Sequence, residues 1–187
     1  MAVNSMMVPL GTSAPPFTLP SLAGEVVTSD ALTPGRPLLV MFLSNHCPYV
    51  RHLERELGSL VAEYAADVAA VAICSNDTRN YPDDGVDGLI EQARRAGFTF
   101  AYLLDDTQQV ALAYRAACTP DFFLYDAQRR LVYRGEFDES RPHNDAPVTG
   151  KALRAALDLV MTGAPVPEPQ VPSMGCGIKW KPGNEPS

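Results

Sequence analysis

A cysteine followed directly by proline is the feature of this sequence best suited to chemistry. Cys47 and Pro48 follow an apolar run, 38–43, and precede apolar residues that recur at helical spacing from Val50 to Tyr64. Proline is favoured at the first position of a helix, because its missing N–H has no partner there. Cys47 is therefore predicted to be the N-cap, where free N–H groups and the helix dipole favour a thiolate. The predicted chemistry is nucleophilic attack by sulfur; the alternative is a buried structural cysteine.

Polar residues on two neighbouring segments are predicted to surround this sulfur. Three of them come directly before Cys47, namely Ser44, Asn45 and His46. His46 is predicted to tune the thiolate or to cap the loop in solvent. Asn76 follows the predicted strand 68–74. Because reactive crevices lie beyond the carboxyl ends of parallel strands, Asn76 is expected to face the same crevice as Cys47.

The other three cysteines lie in different surroundings. Cys74 belongs to an apolar strand and is predicted to be a core residue. Cys176 lies between two glycines that loosen the backbone, so it is the first candidate for resolving an oxidised Cys47. Cys118 lies at the rigid start of a predicted strand and is the second candidate. A third possibility, in which no cysteine of the chain resolves Cys47, stays open.

Predicted strands alternate with predicted helices and end in a hairpin, a pattern typical of a mixed α/β sheet with helices on both faces. Residues 17–28 are predicted to form a β-hairpin before the strand that leads to Cys47. A later helix is predicted over 107–117, with Asp106 or Thr107 as its cap. We predict an N-terminal arm (1–16), one domain (17–162) and a C-terminal strap (163–187).

The composition limits the classes of function. The chain has 187 residues, 46% hydrophobic and 20% charged, which is ordinary for a globular protein. A net charge of −7 argues against nucleic acid or an anionic membrane as the main partner. No apolar run approaches the roughly 20 residues of a membrane span, and no secretory signal is visible. Four cysteines in such a chain are expected to be thiols in a reducing cytoplasm.

The segment around Cys47 resembles the active-site turn of the thioredoxin superfamily, which carries Cys-x-x-Cys. Cys47 takes the position of the first cysteine, and Val50 stands where the second would be. His46 replaces the usual aromatic residue, and Met41 replaces the buried acid of the preceding strand.

Asn45-His46-Cys47-Pro48-Tyr49 more narrowly resembles the peroxiredoxin-like branch of this superfamily. That branch is known broadly as redoxin or alkyl hydroperoxide reductase/thiol-specific antioxidant proteins. Its peroxidases carry Pro-x-x-x-Thr-x-x-Cys, and here Ser44 stands for the threonine while Val40 occupies the proline position.

The resemblance implies a thioredoxin-like fold with an N-terminal β-hairpin and an extended C-terminal tail. It also implies a cis bond at Thr119-Pro120, packed against the reactive Cys47. The implied function is a thiol oxidoreductase in which Cys47 attacks a peroxide or a disulfide, with an external thiol as reductant. We expect no cofactor and no metal, since His52 lies off the helical face on which it could bind a metal ion together with Cys47. The alternative is a non-catalytic redox sensor or binding module. Oligomeric state, physiological substrate and reductant are not predicted.

Overall fold

The computed structural model describes residues 2–186 as a mixed α/β fold. The elements follow one another along the chain as β1 (Ala2–Asn4), β2 (Thr18–Pro20), β3 (Val26–Thr28), β4 (Leu38–Phe42), α1 (Pro48–Tyr64), β5 (Ala69–Cys74), α2 (Val86–Ala96), β6 (Ala101–Leu104), α3 (Gln109–Tyr114), β7 (Cys118–Thr119), β8 (Asp121–Tyr125), β9 (Leu131–Tyr133), α4 (Lys151–Thr162) and β10 (Met174–Gly177).

The core is built on a five-stranded sheet with the strand order β6-β5-β4-β8-β9. β4 lies in its centre, parallel to β5 and antiparallel to β8. All five residues of β4 are buried, because strands flank it on both sides and helices cover both faces. Apolar residues of α1, α2 and α4 pack on one face, and residues of α3 pack on the other. The predicted fold class is therefore confirmed, with β2 and β3 forming the predicted hairpin.

Helix α3 is shorter than predicted, and its first turn is capped differently. The residue before it is Gln108, in the left-handed region at φ 64°, so neither Asp106 nor Thr107 is the N-cap. A carboxylate from outside the helix caps the first turn: Asp105 Oδ2 accepts a hydrogen bond from the Ala111 N–H at 2.9 Å. That carboxylate is fully buried and holds the loop that follows β6.

The two ends of the chain meet in a second sheet with the order β1-β10-β7. Cys176 of β10 lies opposite Ala2 on one side and opposite Thr119 on the other. The segments predicted as an arm and a strap thus each contribute a strand to the sheet that contains Thr119. Cys176 belongs to a central strand, so the expectation that it lies on a loose tail is wrong.

Gly175 explains how β10 fits in this sheet. A Cβ atom at this position would lie 1.9 Å from the Thr119 carbonyl oxygen, well inside any real contact. Glycine is therefore required here for close approach of two backbones, and not for flexibility.

Candidate active site

Cys47 is the N-cap of α1, and Pro48 is the first residue of the helix. This follows from the sequence, because the apolar strand β4 ends at Phe42 and proline starts the helix without losing a hydrogen bond. The Cys47 side chain is fully buried. Its thiol donates a hydrogen bond to the Thr119 carbonyl, with Sγ and O 3.0 Å apart. The Thr119–Pro120 peptide bond is cis.

Cys176 lies beside the same residue, Thr119. The β7–β10 register sets Cys176 directly opposite Thr119, whose oxygen accepts the Cys47 thiol. Burial raises the pKa of the Cys176 thiol, and the neighbouring Cys47 sulfur raises it further. Cys176 is partly exposed, whereas Cys47 has no exposed surface. The site thus holds two neighbouring thiols, of which the outer one retains its proton near neutral pH.

A buried carboxylate, Asp84, organises the loop that leads to Cys47. Asp84 ends a single 3₁₀ turn, Pro82–Asp84, and has no exposed surface. It accepts hydrogen bonds from His46 Nδ1 at 2.6 Å, the Asn45 N–H at 2.7 Å and Ser44 Oγ at 3.0 Å. Burial alone would raise the pKa of Asp84, but hydrogen bonds from His46, from Asn76 and from the Asn45 N–H together hold it below its ordinary value. The carboxylate is therefore ionised and fixes the three residues that precede the nucleophile.

Asn76 connects the same carboxylate to the C-terminal segment. Its Nδ2 donates to Asp84 Oδ2 at 2.7 Å, and its Oδ1 accepts the Lys179 N–H at 2.8 Å. Asp84 thereby ties the loop before Cys47 to the chain just after Cys176.

The other two cysteines, Cys74 and Cys118, are buried. Cys74 lies at the end of β5, and burial raises the pKa of its thiol. Cys118 lies next to Thr119, but its thiol donates to the Pro120 carbonyl at 3.4 Å. Burial likewise raises the pKa of Cys118. Both thiols are therefore protonated near neutral pH.

The sequence model of the AhpC/TSA family matches residues 10–134, which include Cys47 and the cis-proline loop. The chain belongs to this family. No curated protein matches the chain significantly. Cys176 lies beyond the matched residues, so the family match does not extend to the outer thiol.

Two solved structures of similar proteins extend the likeness to almost the whole chain. An uncharacterized conserved protein from Geobacillus kaustophilus shares 49% identity over 97% of both chains, with a TM-score of 0.94. A hypothetical protein from Sinorhizobium meliloti 1021 shares 46% identity over 96% of this chain and 99% of its own, also with a TM-score of 0.94.

More distant structures establish the fold alone. A secreted Mycobacterium tuberculosis disulfide oxidoreductase homologous to E. coli DsbE shares 18% identity over 76% of this chain and 94% of its own, with a TM-score of 0.60. The thioredoxin-like fold of this AhpC/TSA family member is thus shared with thiol–disulfide oxidoreductases.

The residues predicted from sequence fall into two groups that meet at the start of α1. The first surrounds the thiols and consists of Cys47, Thr119, Pro120, Cys176 and, with its sulfur turned to another carbonyl, Cys118. The second gathers on Asp84 and consists of Ser44, Asn45, His46 and Asn76. Asp84 itself was not predicted, because it belongs to a short acidic turn and its partners lie up to 40 residues away.

Two negative findings apply to residues 2–186. None of their helices is both long and apolar enough to cross a membrane. They contain no group of three or more His, Cys, Asp or Glu side chains arranged to hold a metal ion.

Proposed function

We propose that this protein is a thiol oxidoreductase in which Cys47 and Cys176 cycle between two thiols and a disulfide. The observation that carries the proposal is that a helix N-terminal cysteine and a second, protonated thiol both lie beside Thr119. Free N–H groups at a helix N-terminus favour the thiolate, which is the reactive form of cysteine.

The oxidising half of the cycle consumes one peroxide. The Cys47 thiolate attacks one peroxide oxygen, the O–O bond breaks, and the other oxygen leaves as an alkoxide or hydroxide that takes up a proton. Cys47 is then a sulfenic acid. The Cys176 sulfur attacks the Cys47 sulfur, the S–O bond breaks, and water leaves with the Cys176 proton. The product is a Cys47–Cys176 disulfide, two electrons more oxidised than the thiols.

The burial of Cys47 favours a small peroxide over a disulfide as the oxidant. Cys47 has no exposed surface, and strand β10 lies beside it. Attack on a disulfide needs a sulfur atom bearing two substituents to reach Cys47 in line, whereas hydrogen peroxide is little larger than water. A disulfide substrate would first require β10 to separate from β7.

The external partners are a peroxide and a thiol reductant, and the reaction needs no cofactor. All four cysteines are free thiols, so we place the protein in the reducing cytoplasm, where an antioxidant role fits this chemistry. The same geometry would serve a sensor that is oxidised once and signals through its disulfide.

Peptide mapping after one equivalent of hydrogen peroxide tests the proposal. We expect a Cys47–Cys176 crosslink in the wild type and a trapped Cys47 sulfenic acid in Cys176→Ser. Cys74→Ser is the matched control, since its thiol is buried elsewhere, and should give the wild-type crosslink. A Cys47 sulfenic acid of equal lifetime with and without Cys176 would instead support a one-cysteine mechanism. An unmodified Cys47 would overturn the proposal.

Steady-state turnover separates an enzyme from a sensor. With excess peroxide and a thiol reductant, an enzyme consumes many equivalents of peroxide per chain. Consumption that stops after one equivalent would contradict the enzymatic proposal and favour the sensor.

A further inference from the structure

A cationic side chain lies beside the outer thiol. The Lys179 ammonium donates to the Gly177 carbonyl at 3.0 Å, one residue beyond Cys176. It also lies over the ring of Tyr81, 5.6 Å from the ring centroid. Its positive charge acts on the Cys176 thiol against the effect of burial, by favouring the thiolate. The Cys176 thiol therefore lies within the field of a lysine.

The backbone of Lys179 is fixed from two neighbouring loops. Its N–H donates to Asn76 Oδ1 at 2.8 Å, and its carbonyl accepts the Asp77 N–H at 2.8 Å and Gln108 Nε2 at 2.9 Å. Because its backbone is fixed at these points, the lysine side chain starts from a defined position close to Cys176.

His46 also packs against Tyr81. The two rings are stacked, with centroids 5.0 Å apart and planes 17° apart. His46 Nδ1 is hydrogen-bonded to the Asp84 carboxylate, so Nδ1 carries a proton. The other ring nitrogen, Nε2, is then left for an outside partner. His46, Tyr81 and Lys179 thus form a continuous rim, named here the 46/81/179 rim.

The charge of this rim contrasts with that of the rest of the protein. The chain carries a net charge of −7. Within the described part of the chain, Lys179 belongs to no ion pair, whereas Lys181 is paired with Asp106 at 2.6 Å. An unneutralised lysine beside a reactive sulfur is suited to hold an anion, and the stacked aromatic ring screens it from water on one side.

We propose that the 46/81/179 rim binds the carboxylate of a small anionic thiol, and that this thiol reduces the Cys47–Cys176 disulfide. The inference rests on the proposed function, and it names the class of reductant that the proposed function leaves open.

The geometry also determines which sulfur the reductant attacks. Cys47 is fully buried and Cys176 is partly exposed, so the external thiolate attacks Cys176. The S–S bond breaks, and Cys47 leaves as a thiolate at the N-terminus of α1, where that charge is favoured. A second external thiolate attacks the external sulfur of the mixed disulfide, and the bond between that sulfur and Cys176 breaks. The two external thiols leave as their own disulfide, and the released Cys176 thiolate takes up a proton.

Reduction of the isolated disulfide form by thiols of different charge tests the inference. The probes are 3-mercaptopropionate, 2-mercaptoethanol and cysteamine, with each rate constant expressed per thiolate. We expect the anionic thiol to react about fivefold or more faster than the neutral thiol, and the cationic thiol to react slowest. The difference should shrink as salt is added, since exposed charges are screened.

Variants of the rim and of a matched lysine identify the group responsible. Lys179→Met should remove the preference, so that the rate constants per thiolate for 3-mercaptopropionate and 2-mercaptoethanol agree within about twofold. Lys179→Arg should keep the preference, because it keeps the charge. Lys181→Met, two residues away and already paired with Asp106, should behave as the wild type.

The outcomes distinguish this inference from the proposed function. A disulfide that forms and is reduced equally fast, per thiolate, by all three thiols overturns the inference and leaves the proposed function intact. A preference that survives Lys179→Met also overturns it. A chain that never forms the Cys47–Cys176 disulfide overturns both.

Discussion

Asp84 accepts more hydrogen bonds than any other single residue near Cys47. It can accept all of them because an ionised carboxylate has two acceptor oxygens and no donor. Its carboxylate accepts from two backbone N–H groups and from three side chains, including His46 and Asn76. Asp84→Asn replaces one acceptor oxygen by a donor that faces other donors. We expect the free energy of unfolding at pH 7 to fall by about 1–3 kcal/mol, measured by urea denaturation.

The pH dependence of this loss identifies the charge as its cause. Because the pKa of Asp84 is held low in the folded protein, its stabilisation is present above about pH 4 and is lost as pH falls below that. The difference between wild type and Asp84→Asn should therefore shrink between pH 5 and pH 3. Asp83→Asn is the control, since Asp83 is exposed and contributes only its backbone carbonyl to Asn45. An equal loss in both variants would argue against a specific role for Asp84.

Asp121 shows the opposite behaviour. It follows the cis-proline, Oδ2 accepts the Ala117 N–H at 3.1 Å, and Oδ1 is buried with no hydrogen-bond partner among residues 2–186. Burial raises the pKa of Asp121 to about 7. The folded protein therefore keeps a proton that the unfolded chain releases near pH 4, and stability falls as pH rises from about 4 to 7.

Asp121→Asn should flatten this part of the stability profile. The amide can keep its oxygen on the Ala117 N–H, so the fold is retained. We expect the variant to gain stability relative to the wild type as pH rises from 5 to 8, measured by urea denaturation at each pH. Asp145→Asn, at an exposed position in a loop, should follow the wild-type curve. A wild-type profile that rises over this range would contradict the assignment.

At the scale of elements, strand β10 determines whether the two thiols meet. Gly175→Ala would drive a methyl group into the Thr119 carbonyl, whereas a Cβ at Gly177 would lie an ordinary 3.6 Å from the Val3 side chain. We expect Gly175→Ala to displace β10 from β7 and to destabilise the fold by about 1–3 kcal/mol. Disulfide formation after peroxide should slow in that variant and leave more Cys47 sulfenic acid. Gly177→Ala should stay within about 0.5 kcal/mol of the wild type; a similar defect in both variants would mean that any side chain harms β10.

The elements that the sequence predicts well are those whose own residues determine them. β4 and α1 were predicted because a buried strand needs a continuous apolar run and a helix needs apolar residues at its own period. β1 and β10 were not predicted as strands. Met174–Gly177 contains two glycines and one exposed methionine, so its pairing depends on residues at the opposite end of the chain and beside the cis-proline. Cys176 could be singled out from sequence, but the reason for its nearness to Cys47 could not.

At the scale of the whole molecule, the site joins parts of the chain that are far apart in sequence. The thiol of Cys47 comes from the central sheet, and the thiol of Cys176 comes from the small sheet that unites both chain ends. A bond between them would close a loop of about 130 residues, most of the folded chain. Redox state and global stability should therefore be coupled.

We expect the disulfide form to be more stable than the dithiol form by about 2–4 kcal/mol, because the crosslink restricts the unfolded chain. Urea denaturation of peroxide-treated and reduced protein measures the difference, and Cys176→Ser should abolish it while Cys74→Ser should not. The same free energy sets the redox potential, since each 1.4 kcal/mol by which the fold favours the disulfide makes the pair more reducing by about 30 mV. Equal stabilities would mean that closing the bond strains β10 as much as it restricts the unfolded chain, and the potential should then lie near that of an unconstrained dithiol.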